Sequence, residues 1–231
     1  MIFRIIFICI ICFSPLPGQW ISFDLQKANV SEFKKQVEPT IISTALTGGR
    51  STMLKLNQNQ RFGIAVSTPL GWTFISSYQS NPLLQPFIIE GQYLLTENLV
   101  IKGKMNMFST FEETIQTAGY GCNYLGDSWF SSVSLGWLEG PVHLRVRFVD
   151  TAFIMKRNIS EIPILLGTGF NDYKGSILGI DGENIPRSIA NSITYLIVGT
   201  TWQAYGTDIE FQSQIHSKFF QLNVTLSRLF F

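Results

Sequence analysis

The sequence predicts an all-β protein, an antiparallel up-and-down barrel, on three observations. From Arg50 to the end, apolar and polar residues alternate with a period of two, as successive strand side chains do. The alternating segments are about nine to fifteen residues long and are joined by short connections, a length suited to crossing a bilayer as tilted strands. Charged residues make up only 14% while Phe occurs 19 times, so part of the surface is built to face something other than water.

The first residues are expected to be a secretory signal. Arg4 supplies a positive charge, Ile5 to Phe13 is an unbroken apolar run, and Ser14, Pro15, Pro17 and Gly18 end it. Cleavage is expected near Gly18 to Trp20, which sets residues 1–19 apart. The run is shorter than the roughly 20 apolar residues a helix needs to span a bilayer. Cys9 and Cys12 lack the small residues that precede a lipidated cysteine. Without the signal the 17 basic residues become 16 against 16 acidic, and of three cysteines only Cys122 stays, so no intramolecular disulfide forms.

Residues 20–49 are expected as a periplasmic segment with one short helix, Val30 to Val37. Val30, Phe33 and Val37 share a face, Ser31 is placed to cap the start, and Pro39 should end it. A linker and a plug at the barrel mouth both fit this segment.

Residues 50–231 form the barrel. Twelve strands are expected, near 50–57, 60–68, 71–79, 86–95, 98–109, 114–125, 128–138, 141–155, 161–170, 188–202, 205–215 and 217–231, with eight or ten as alternatives. Leu99, Ile101, Met105 and Met107 oppose Lys102, Lys104 and Asn106. Trp129, Val133, Leu135 and Trp137 oppose Ser132, Ser134 and Gly136. Val142, Leu144, Val146 and Phe148 oppose His143, Arg145 and Arg147. Ile209, Phe211 and Ile215 oppose Asp208, Glu210, Gln212 and Gln214. With both termini on the periplasmic side, the connections at 68–71, 96–98, 126–127 and 203–206 are short, and the longest, 171–187, falls outside, as bacterial barrels prefer. Trp72, Trp129, Trp137 and Trp202 lie beside connections, where an aromatic girdle is expected.

The chain ends Val224-Thr225-Leu226-Ser227-Arg228-Leu229-Phe230-Phe231. A final amphipathic strand closing on Phe231 resembles the assembly signal of bacterial outer-membrane β-barrel proteins. The resemblance covers about Arg50 to Phe231. It implies recognition by the barrel-assembly machinery and insertion among outer-membrane lipids, while export through the secretory pathway is expected from the N-terminal signal. It identifies no subfamily. One feature departs from the pattern: Phe220, Leu222, Val224 and Leu226 put Phe231 on the opposite face, and a bulge near Ser227–Arg228 would reconcile the two.

The inward set is expected to comprise Lys102, Lys104, His143, Arg145, Arg147, Asp208 and Glu210, with the basic groups pairing to Asp208 and Glu210 or lining a pore. The function expected is that of a structural protein or small, porin-like passive channel with a charged lumen, either closed or open. A lipid-modifying outer-membrane enzyme and a secreted soluble barrel holding an apolar ligand are the alternatives. Enzyme chemistry has thin support: His216 and Ser217 are adjacent and so point to opposite faces, and His143 and Asp150 share no face. No metal-ligand spacing or phosphate-binding loop appears, so no metal or cofactor is expected. A net charge of +1 without a basic patch argues against nucleic acid.

Overall fold

The computed structural model describes residues 30–73, 83–84, 87–109, 114–140, 144–160, 162–177 and 188–230. The expected signal at 1–19, His143 and Phe231 lie outside the described residues.

Among the described residues, eleven strands form one antiparallel sheet. They are β1 (Phe62–Thr73), β2 (Leu83–Leu84), β3 (Ile88–Leu94), β4 (Leu99–Ser109), β5 (Thr114–Leu125), β6 (Trp129–Glu139), β7 (Leu144–Ile159), β8 (Ile162–Ile177), β9 (Ser188–Ala204), β10 (Thr207–His216) and β11 (Phe219–Phe230). From β3 onward they pair in sequence order, and β11 returns to β1 in unbroken register from Phe62↔Phe230 to Thr73↔Phe219. Among the described residues the first strand thus pairs with the last, and the ladder closes into a barrel. β2 and β3 both pair with β1, at Leu70–Gly71 and at Phe62–Ser67, and are two pieces of one stave. The wall thus has ten staves, not twelve.

Two expected strands disappear for different reasons. The segments 60–68 and 71–79 are one strand as far as Thr73, because Pro69 and Gly71 make no turn. The register of β1 slips by one residue between Ser67↔Ile88 and Leu70↔Leu84, and Pro69 sits at that interruption, where a ladder tolerates proline. The segment 50–57 alternates like a strand but is not part of the wall. It runs through the lumen, with Leu54 and Leu56 packed against Ala65, Leu94 and Val100.

The helix is also longer than expected. α1 spans Val30–Gly49 and continues through Pro39. A proline inside a helix costs about 3 kcal/mol, so its second half is held by its surroundings rather than by propensity. Every residue from Ile41 to Arg50 is buried. Lys104 Nζ donates to Gly48 O at 3.0 Å, Asn171 Nδ2 to Ala45 O at 3.1 Å, and Gln221 Nε2 to the Thr47 hydroxyl at 2.7 Å. Those donors come from β4, β8 and β11. Strands so far apart around a closed wall reach one helix turn only across the lumen, so α1 lies inside the barrel. A Cβ at Gly48 would overlap the Phe148 ring, so glycine is what admits the backbone there. Arg50 N donates to Leu46 O at 3.0 Å and closes the last turn.

The plug has a direction. Ile41 lies against Gly175 and Ser43 against Gly71, near the rim where β1 and β8 end. Leu54 lies against Gly63, near the rim where β1 begins. The chain descends the lumen, turns at Asn57–Gln60 and enters β1.

Candidate functional site

The plug and the inner wall form one buried polar network, and Arg50 is its centre. The helix ends at Gly49 and sets Arg50 among β10 and β11. Its Nη1 lies 3.5 Å from Glu210 Oε1, and its Nη2 donates to Thr225 Oγ1 at 2.6 Å and Thr52 Oγ1 at 2.8 Å. Glu210 Oε2 accepts from Met53 N at 3.1 Å. Beyond it, Lys55 Nζ pairs with Asp208 Oδ1 at 3.3 Å.

The opposite wall meets the same segment. Lys102 Nζ donates to the Ser51 hydroxyl and, at 2.6 Å, to Ser132 Oγ, while Ser51 Oγ donates to Asn123 Oδ1 at 2.9 Å. Lys104 lies 3.6 Å from Glu90 Oε2. Gln92 Nε2 donates to Thr52 O at 2.8 Å. On β7, Asp150 accepts from Tyr195 OH at 2.8 Å and from Asn171 Nδ2 at 2.8 Å. Arg50, Glu90, Lys102, Lys104, Asp150 and Glu210 are all buried. Charges taken out of water need partners of this kind. The arrangement neutralises charge and fixes the plug; it presents no nucleophile to solvent.

The expected inward residues divide. Lys102, Lys104, Asp208 and Glu210 point into the lumen. Arg145 and Arg147 point outward, opposite to the expected face. In their stretch of β7 the inward residues are Leu144, Val146 and Phe148, which pack in one core with Ile41, Ile42, Ala45 and Leu46. The apolar side of the plug draws the apolar parity of β7 inward. The pairing also differs: Asp208 and Glu210 face Lys55 and Arg50 of the plug, and Lys104 faces Glu90. Reading the wall alone missed Arg50, Lys55, Glu90, Asp150 and Tyr195. Glu90 was legible as one carboxylate in the apolar stretch Phe87-Ile88-Ile89-Glu90. Arg50 is not, because residues 50–57 alternate as a wall strand does.

No bulge interrupts β11 at Ser227–Arg228, since its register against β1 is continuous. Phe230 therefore shares the outward parity of Leu222, Val224 and Leu226, and its ring lies 6.1 Å from that of Phe62. Trp129 stacks on Tyr124 at 5.8 Å and meets Phe153 at 5.4 Å. Trp137 and Trp202 are exposed on the outer wall. The side chain of Trp72 is outside the described residues. His216 Nδ1 accepts from Lys218 N at 3.2 Å. Among the described residues no cluster of His, Cys, Asp and Glu could hold a metal ion, and no helix is long and apolar enough to cross a membrane.

The outer wall is largely apolar on every side of the barrel, including behind the polar part of the lumen. Ile64, Val66, Ile89, Tyr93, Ile101, Met105, Val133, Leu135, Leu196, Val198 and Phe211 are exposed. On β7 the outward residues Val149, Thr151, Phe153 and Met155 lie between Arg147 and Arg157. Those arginines are ten residues apart, about 33 Å along a strand, or about 25 Å in height at the usual barrel tilt.

No protein-family model matches the sequence, and no curated protein does. Solved structures with some likeness include Ail, the attachment invasion locus protein of Yersinia pestis, at 13% identity over 74% of this chain and 97% of that one, TM-score 0.28. A bacterial polysaccharide outer-membrane secretin matches at 7% identity over 76% of this chain and 100% of that one, TM-score 0.37. The N-terminal β-barrel domain of OprF from Pseudomonas aeruginosa matches at 10% identity over 76% of this chain and 100% of that one, TM-score 0.28. With TM-scores this low, none of these likenesses fixes a role for a residue of this chain. The chain itself forms a closed antiparallel β-barrel with its N-terminal helix in the lumen.

Proposed function

We propose that the protein is an outer-membrane β-barrel sealed by its own N-terminal segment, with a structural role rather than that of an open passive channel. The observation that carries this reading is its inside-out polarity. Charged and amide side chains are buried in the lumen beside the apolar core around α1, and large apolar ones are exposed on the outer wall, on β7 over a band about 25 Å tall, the height of an outer-membrane barrel's apolar belt. A soluble barrel holding an apolar ligand needs the opposite parity. Closure of the ladder satisfies the backbone in lipid. The secretory signal expected at 1–19 and the terminal strand fit export and insertion by the barrel-assembly machinery, among the lipids of the outer membrane.

The lumen argues for sealing. Residues 41–56 occupy it, and Arg50 and Lys55 turn toward carboxylates that would otherwise face a pore. Two measurements test the two halves of the proposal. The protein should resist urea extraction from membranes and migrate differently on a gel before and after boiling; release by urea as a soluble species refutes the membrane assignment. In planar bilayers the intact protein should be silent; steady conductance refutes the seal and restores the channel.

A further inference from the structure

The outer wall changes character at one level of the ladder. Across β6 to β9 the rung Ser131, Phe153, Thr168 and Leu196 lies in the apolar band. Two rungs up, Leu135 and Val149 are followed by Asp172 and Ser192. The next rung reads Trp137, Arg147, Lys174 and Ala190, with Arg145 and Glu139 above it. This is where lipid headgroups meet the wall, if the membrane assignment above is right.

Arg147 and Lys174 are direct cross-strand partners. Two like charges set opposite each other on one face destabilise a sheet unless something neutralises them. Among the described residues neither takes part in an ion pair: Arg145 pairs with Glu139 at 3.2 Å, and Asp172, one rung nearer the band, pairs with neither cation. A concavity of about 580 Å³ lies in the outer wall at this place, and its lining sets Arg147 and Lys174 beside Asp172 and the Arg145–Glu139 pair, together with Tyr120, Leu135 and Trp137. The Arg145–Glu139 pair is neutral, so Arg147 and Lys174 exceed Asp172 by one positive charge beside aromatic and aliphatic side chains, which matches an anionic headgroup joined to an acyl chain.

We propose that this outer face of β5 to β8 docks a phosphorylated membrane lipid, with its phosphate on Arg147 and Lys174 and its chain along Tyr120, Leu135 and Trp137. The proposal rests on the membrane reading. The guanidinium and ammonium supply adjacent donors to one phosphate, and the Trp137 ring sits at the level where interfacial aromatics lie.

The test titrates the folded barrel in neutral detergent with phosphatidylglycerol, with phosphatidylcholine and with inorganic phosphate, read by native mass spectrometry. Phosphatidylglycerol should be retained in preference to phosphatidylcholine. Each basic group near a membrane surface accounts for about a fivefold effect, so the Arg147→Gln, Lys174→Gln double variant should bind phosphatidylglycerol about 30-fold more weakly. Arg147→Lys keeps the charge and should keep most of the binding. Equal phosphatidylglycerol affinity in the wild type and the double variant overturns the proposal and leaves the membrane assignment standing. Inorganic phosphate competing as well as the lipid also overturns it, because the hollow would then contribute nothing. A protein that urea releases as a soluble species removes both readings together.

Discussion

The two sides of the lumen are built on opposite chemistry. On the side of β7, β8 and β9 the inward residues are mainly apolar: Leu144, Val146, Phe148, Ile154, Leu165, Tyr173, Ile193 and Ile197 surround the apolar side of α1. On the side of β10, β11, β3 and β4 they are mainly polar: Glu210, Gln221, Thr225, Glu90, Gln92, Lys102 and Lys104 meet the segment from Thr47 to Met53, and only nearer the rim do Leu94 and Val100 pack against Leu54 and Leu56. β6 is the seam, with Phe130 and Leu138 in the apolar core and Ser132 beside Lys102. Both sides alternate with the same period. What faces inward is decided by which part of the plug lies opposite, and what faces outward by whether the position is at the band or at its rim.

The largest expected effect breaks the polar side. Glu210→Ala leaves the Arg50 guanidinium buried without its carboxylate and should cost about 3–5 kcal/mol, read as a lower urea midpoint in lipid vesicles. Replacing both groups, Arg50→Met with Glu210→Leu, should recover most of that loss. A double variant as weak as the single one would mean that the pair is not a unit.

The apolar side should respond nearly as strongly. Leu144→Ala removes a fully buried side chain from the core around α1 and should cost about 2–5 kcal/mol in the same assay. A loss below about 1 kcal/mol would show that the helix does not pack there.

The outer wall sharpens the comparison by depth. Phe153→Arg, in the middle of the β7 band, should cost about 2–4 kcal/mol in vesicles, and Val149→Arg, one residue pair from Arg147, only about 0–1 kcal/mol. Equal costs at the two positions would mean that the band is not a bilayer. Arg145→Ser is expected to have the smallest effect. Its pair with Glu139 is exposed, so stability should change by about 0–1 kcal/mol and planar-bilayer behaviour not at all.

From Phe62 onward the long alternating strands, and with them the up-and-down barrel, are legible in the amino-acid pattern alone. The period of two is a property of the extended backbone and appears whatever covers either face. It also marked the carboxylates of β10 and the lysines of β4 as one face of their strands. It could not say which face is inward, because alternation is symmetric between a polar lumen with an apolar exterior and the reverse. Tertiary structure decided that strand by strand, turning Lys102 in toward Ser51 and Arg147 out toward the rim. It also decided what counts as wall. Leu54 and Leu56 alternate with polar neighbours as a stave would, yet they pack inside against Ala65, Leu94 and Val100. Pro39 and Pro69 read as ends, yet a helix and a strand pass through them, because closure of the wall around the plug supplies contacts that no local signal can encode.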